Sequence, residues 1–213
     1  MNIKIAGIFL IGFFNVCFML SRGTHEKNQN TDFVLIKKDK NISIYEKWIK
    51  VDNTRSARQL KVEFMVNASI EKVVSVIKDV KNTIQWMKSA KTYYLLKKID
   101  QNNWYSYVQF SIPWPLNNQD CIIKFEVLPS SSVKRTEIRL TGVPNYLKEY
   151  KNVTRISDME GSWILNYKGI KSTSVEYYTF SKQKPIYPRW LIDPIMRNNM
   201  ISTMNAFREI VNK

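Results

Sequence analysis

From Ile42 onward the chain is built largely of short runs in which apolar and polar residues alternate. Leu60, Val62, Phe64 and Val66 share one face of a segment at 57–67, with Lys61 and Glu63 on the other, the period of two expected of a half-buried strand. The same rhythm predicts strands at 42–51, 91–99, 104–112, 120–128, 134–143, 159–168 and 172–180. Short links with turn residues at 100–103, 129–132 and 169–171 favour antiparallel meander pairing. Two stretches have helical spacing instead. Ser69 caps a helix predicted over 70–80, with Glu71 suiting the helix dipole and Val73, Val76, Ile77 and Val80 forming one stripe. A last helix is predicted over 188–211, with Leu191, Ile195, Met200, Met204, Phe207 and Val211 on one side and a break near Pro194, where Asp193 would cap a fresh start.

Between these elements, Ile84, Trp86 and Met87 form an apolar cluster that is either core filler or a cavity wall. The prolines at 113 and 115 lack N–H donors, so the 113–118 segment cannot continue a ladder and must loop out with Trp114 near its tip. The strand at 104–112 has aromatics on both faces, which leaves its inward side ambiguous.

The first residues follow another pattern. Lys4 precedes an uncharged apolar run from Ile5 to Leu20, followed by Ser21, Arg22 and Gly23. A positive start, a run short for a bilayer and small residues at its end predict a signal peptide over 1–23 and export to the periplasm or medium, with an uncleaved membrane anchor as the alternative. Cys17 lies too deep in the apolar run, behind Asn15 and Val16, to read as a lipoprotein acceptor. Residues 24–32 form a polar lead-in that holds His25, and residues 33–213 form one domain.

Composition narrows the chemistry. The chain has 213 residues, 44% of them apolar, with 33 Lys and Arg against 18 Asp and Glu. That allows one medium domain with a real core, strongly basic with or without its leader. His25, Cys17 and Cys121 are the whole supply of His and Cys, so a zinc site, a disulfide framework or a His- or Cys-assisted nucleophile is hard to build. No cofactor, metal site or catalytic residue is expected. Cys121 reads as a small buried apolar residue. The positive surface suits transient contact with anionic headgroups. Nucleic acid is not expected, because an exported chain seldom meets it and no nucleic-acid-binding motif is present. A monomer is the expectation.

Two strands, a helix, a long antiparallel run and a C-terminal amphipathic helix form an order that resembles START (StAR-related lipid-transfer) domains of the Bet v 1-like superfamily. The segment PWPLNNQDCII at 113–123 is similar to the family's W-P-x-(S/N)-N-R-D-(F/Y)-V signature, and GSWIL at 161–165 and PRWLID at 188–193 also resemble family segments. One departure stands out: Gln119 occupies the place where the family usually has Arg before Asp120.

The resemblance implies an α+β helix-grip fold, a curved antiparallel sheet wrapped around the long C-terminal helix, with an apolar tunnel between them that takes a lipid or other hydrophobic small molecule. The residues expected around that ligand are Trp86, Tyr107, Ile123, Phe125, Arg139, Trp163, Tyr177, Trp190, Met196, Met200 and Met204. Pro113, Trp114, Pro115 and Leu116 are expected to form a lid that touches the membrane. Methionines on the helix face suit a floppy ligand because their side chains are unbranched and polarizable. Two rival readings accompany this one. A cyclase or aromatase would need an acid or base in the cavity, for which Tyr107, Tyr177, Asp120 and Glu160 are the candidates. A protein-interaction module would have a void far below about 300 Å³.

Overall fold

The computed structural model describes residues 32–114, 116–183 and 187–213. The expected signal peptide, His25, Cys17 and Pro115 lie outside them, as does nearly all of the lead-in. Ten strands form one sheet: β1 Val34–Asp39, β2 Ile42–Lys50, β3 Ser56–Val66, β4 Ala90–Lys98, β5 Asn103–Phe110, β6 Asn118–Val127, β7 Arg135–Gly142, β8 Val153–Arg155, β9 Met159–Gly169 and β10 Ser172–Ser181. Three helices accompany them: α1 Ile70–Lys78, α2 Thr83–Trp86 and α3 Arg189–Val211. The strand order is β1-β2-β3-β10-β9-β7-β6-β5-β4, antiparallel throughout. β8 adds in parallel to the start of β6, on the stretch that β7 does not reach. This is the α+β helix-grip fold, with the chain's last helix against a large curved sheet.

The expected strands are all present, and two more appear. β1 is apolar only in its first three residues and turns into Lys37, Lys38 and Asp39, with no alternation, so its strand character comes from pairing with β2. β8 is three residues long, and its partner lies more than 30 residues earlier in the chain, a pairing no local pattern announces.

Alternation sorts the core. Ile42 and Ile44 on β2, Val62, Phe64 and Val66 on β3, Ile123 and Phe125 on β6, Ile138 and Leu140 on β7, Trp163 and Leu165 on β9 and Val175 on β10 are buried on the concave face. α1 is capped by the Ser69 side chain, which accepts from Lys72 N at 3.4 Å, and its buried positions are Ile70, Val73 and Ile77. The hydroxyl contact and hydrogen bonding at the helix start also hold the Glu71 carboxyl below its usual range.

α3 departs from expectation near its start. It runs without interruption through Pro194, and Asp193 caps nothing. Pro194 falls in the helix's second turn, where the carbonyl deprived of a partner belongs to the exposed Trp190. Further along, Ile201, Met204, Phe207 and Val211 are buried in the core. Phe207 meets Phe64, Trp86 and Trp163 edge-on or tilted, with centroids 6.2, 5.0 and 5.1 Å away. The last turns of α3 are therefore embedded in the core.

Gly161, inside the GSWIL segment, sits where β9 lies close against the β10 backbone. A Cβ there would lie 2.6 Å from the Tyr178 carbonyl oxygen, a backbone atom that cannot swing aside. Gly161→Ala is therefore expected to force the two strands apart and cost about 1–3 kcal/mol, read as a lower denaturant midpoint. An unchanged midpoint would mean the sheet yields at this point without cost.

Candidate functional site

A cavity of about 700 Å³ lies between the concave face of the sheet and the first half of α3. Ile192, Ile195, Met196, Asn199, Met200, Thr203 and Met204 line it from the helix, at the spacing of one continuous face. Leu60, Ile123, Phe125, Leu140, Trp163 and Tyr177 line it from the strands, and Trp86 and Met87 close one wall from α2. The exposed members of the lining, Thr54, Arg55 and Lys182, mark where it opens, at the β2–β3 turn and the end of β10.

Of the residues expected around a ligand, Trp86, Ile123, Phe125, Trp163, Tyr177, Met196, Met200 and Met204 face this cavity. Three do not. Tyr107 is buried on the opposite face of β5, where its hydroxyl donates to Asp120 Oδ2 at 3.1 Å. Arg139 lies on the convex face of β7, out of phase with the inward Ile138 and Leu140. Trp190 is 78% exposed at the start of α3. The expected lid residues Pro113, Trp114 and Leu116 are likewise outside the lining; Trp114 is 91% exposed. The loop and the start of α3 adjoin each other, because Asn117 N donates to the Tyr187 hydroxyl at 2.9 Å.

The lining is electrically quiet. Among the described residues no carboxylate belongs to it, and each of its cations has an acidic partner outside it. Arg55 pairs with Asp52 at 2.6 Å and Lys182 with Glu160 at 2.8 Å. Arg58 makes a two-pronged contact with Asp193, both bonds 2.8 Å, and Arg189 reaches Asp193 at 3.0 Å and Glu46 at 3.2 Å. Arg189 also stacks over Trp48, 4.9 Å from its ring centre. Burial pushes the Cys121 thiol and the Tyr177 phenol each up to about 12 and raises the Tyr93 phenol as well, so all three keep their protons at neutral pH. Of the four acid–base candidates, Tyr177 alone faces the cavity, since Tyr107 and Asp120 bond each other behind the sheet and Glu160 pairs with Lys182. Among the described residues, no group of three His, Cys, Asp or Glu side chains could hold a metal ion.

The Arg58–Asp193–Arg189–Glu46 cluster clamps the beginning of α3 to β2 and β3. Although burial works to raise the Asp193 carboxyl, the hydrogen bonds and charge of Arg58 and Arg189 outweigh it and hold the group below its usual value. A carboxyl depressed on folding contributes stability above its free value near 4, and that contribution disappears as the pH falls through the folded value. Protection of the α3 amides within 189–196, measured against each amide's intrinsic exchange rate at that pH, is thus expected to fall below about pH 4, and Asp193→Asn should show the low protection already at pH 7. Equal protection in the two proteins at pH 7 would remove the clamp from the account.

Behind the sheet, Asp120 finds the partner that the sequence left open. Arg155, brought alongside by β8, donates from Nε to Asp120 Oδ1 at 2.6 Å and from Nη2 to Oδ2 at 3.0 Å. Its remaining donor binds the carbonyls of Pro144 and Leu147, fastening the 143–152 segment over the convex face. Gln119, next in the chain, points the other way, into the cavity.

No family model matches the sequence. An uncharacterized protein of Pseudomonas aeruginosa is 24% identical over 183 residues, covering 85% of this chain and 88% of that one. Among solved structures, a STAR-related lipid transfer protein from Xanthomonas axonopodis superposes with a TM-score of 0.73 at 25% identity, covering 85% of this chain and 99% of that one. Human StAR-related lipid transfer protein 5 superposes at 0.68 with 12% identity, over 87% and 88% of the two chains. An aromatase/cyclase from Streptomyces shares the fold at 0.53 and 12% identity, over 73% of this chain and 93% of its own. The sheet order, the terminal helix and these superpositions agree on one architecture: the chain has the fold of the START domains.

Proposed function

We propose that this domain binds a lipid or comparable hydrophobic molecule, without chemistry, in the cavity beneath α3. The observation that carries the reading is a cavity of about 700 Å³ walled by methionine, aromatic and aliphatic side chains, with no carboxylate among the described residues that line it. Each methylene transferred into such a lining is worth about 0.8 kcal/mol, so ten give a gross term of about 8 kcal/mol before ordering costs, with no catalytic group required. The polar end of the ligand would stay near Arg55 and Lys182, where the cavity opens.

The test is extraction of the purified protein followed by mass spectrometry, with titration of fluorescent fatty acids and phospholipids as a second readout. A stoichiometric lipid, or displacement that changes Trp86 and Trp163 emission, is the expected result. A protein that is reproducibly empty and binds none of the panel would sink the reading.

At the same end of the sheet as this opening, the adjoining 113–118 loop and α3 start would set the exposed Trp114 and Trp190 at a bilayer surface while the ligand passes. Trp114→Ala with Trp190→Ala is expected to slow lipid exchange between vesicles by about tenfold or more while leaving lipid affinity unchanged. Undiminished exchange would remove these residues from the path.

A further inference from the structure

The end of the sheet opposite the cavity's opening consists of turns. Four links emerge there, at 40–41, 99–102, 128–134 and 170–171. Hydrogen bonds from Tyr167 N to the Lys134 carbonyl at 2.8 Å and from Val127 N to the Asn102 carbonyl at 2.9 Å join three of them into one rim. Each of those three presents an aliphatic side chain to water: Val133 is 93% exposed, Ile170 81% and Ile99 53%. Around them stand Lys40, Lys97, Lys98, Lys134, Lys168 and Lys171, all exposed. None of these lysines has a carboxylate within ion-pair distance among the described residues. Lys40 even occupies a left-handed backbone position, φ 51°, where glycine or asparagine would sit more easily.

We propose that this rim is a docking surface for an anionic lipid bilayer, separate from the cavity's opening. Unpaired lysines supply the attraction to negative headgroups, and the aliphatic tips between them reach the depth at which acyl chains begin. A bilayer is favoured over a protein partner because the apolar residues are single tips on separate turns. A fluid interface accepts that arrangement, whereas a protein interface needs a contiguous, closely fitted apolar centre. With Trp114 and Trp190 at the other end, a molecule held by its rim would point its opening away from that bilayer, toward a second surface.

The contact is tested in the full-length chain carrying Cys17→Ser and Val133→Cys, with an environment-sensitive fluorophore on the new thiol; Cys121 is buried and will not label. Vesicles containing phosphatidylglycerol should shift the emission to the blue, and pure phosphatidylcholine vesicles should not. Changing Lys97, Lys98, Lys134 and Lys171 together to Gln should weaken the titrated response by about tenfold or more. Circular dichroism checks that these surface changes leave the fold intact. No shift on anionic vesicles, an equal shift on neutral ones, or indifference to the lysine changes would overturn the proposal. Because the probe sits on the rim, none of these results depends on whether the cavity holds a lipid.

Discussion

Asp120→Ala is expected to destabilise the protein by about 3–5 kcal/mol, because it strands the Arg155 guanidinium in the interior with no counter-charge. The two side chains are 1% and 3% exposed and share two hydrogen bonds, and the Tyr107 hydroxyl donates to the same carboxylate. Removing the acid leaves a charge and a phenol unsatisfied together. Arg155→Leu should cost a similar amount for the mirror reason, while Asp120→Leu combined with Arg155→Leu should recover much of the loss, since a buried pair and an apolar replacement of like volume are often near parity. Urea denaturation of the four proteins decides it. If the double variant loses as much as the two single variants added, the pair's chief contribution lies elsewhere, in the carbonyl contacts that pin the 143–152 segment.

Met196→Trp with Met200→Trp is expected to reduce lipid occupancy by about tenfold or more while leaving the thermal midpoint close to that of the parent. Both positions sit on the cavity face of α3, in the half of the helix that roofs empty space rather than the half embedded around Phe207. Two indoles would take most of their added volume from the ligand's space, although Met200 also touches the core, so the larger cost falls on binding. Recovered lipid per mole of protein is the measurement. Undiminished occupancy would place the cargo somewhere other than this cavity, and the proposed function would fall with it.

Much of this arrangement was legible in the chain because its strands are one-sided. Where one face is buried and the other wet, as at Leu60, Val62, Phe64 and Val66, alternation names the inward residues directly. α1 was legible for a different reason: a serine cap and one apolar stripe coincide. The errors fall where a strand is covered on both sides. β5 is buried against the core by Trp104 and Val108, and Tyr107 on its other face is covered by the segment that Arg155 fastens down. Aromatics on both faces removed the signal that would have excluded Tyr107 from the cavity. Arg139 could have been placed correctly, since it alternates with Ile138 and Leu140. Asp193 was misread because Asp before Pro is a strong local cap signal, and its actual partner, Arg58, lies on a strand far earlier in the chain.

Among the described residues the sheet does not close on itself, and β1 and β4 form its two borders. Both borders are irregular: the register slips once along β1, between Leu35 and Lys37, and twice along β4. Both also carry lysines, Lys37 and Lys38 on one and Lys91, Lys97 and Lys98 on the other. A second molecule trying to extend the ladder from either border would meet like charge and mismatched hydrogen-bond spacing. An architecture this rich in exposed strand is thereby guarded against fibril growth by its own margins.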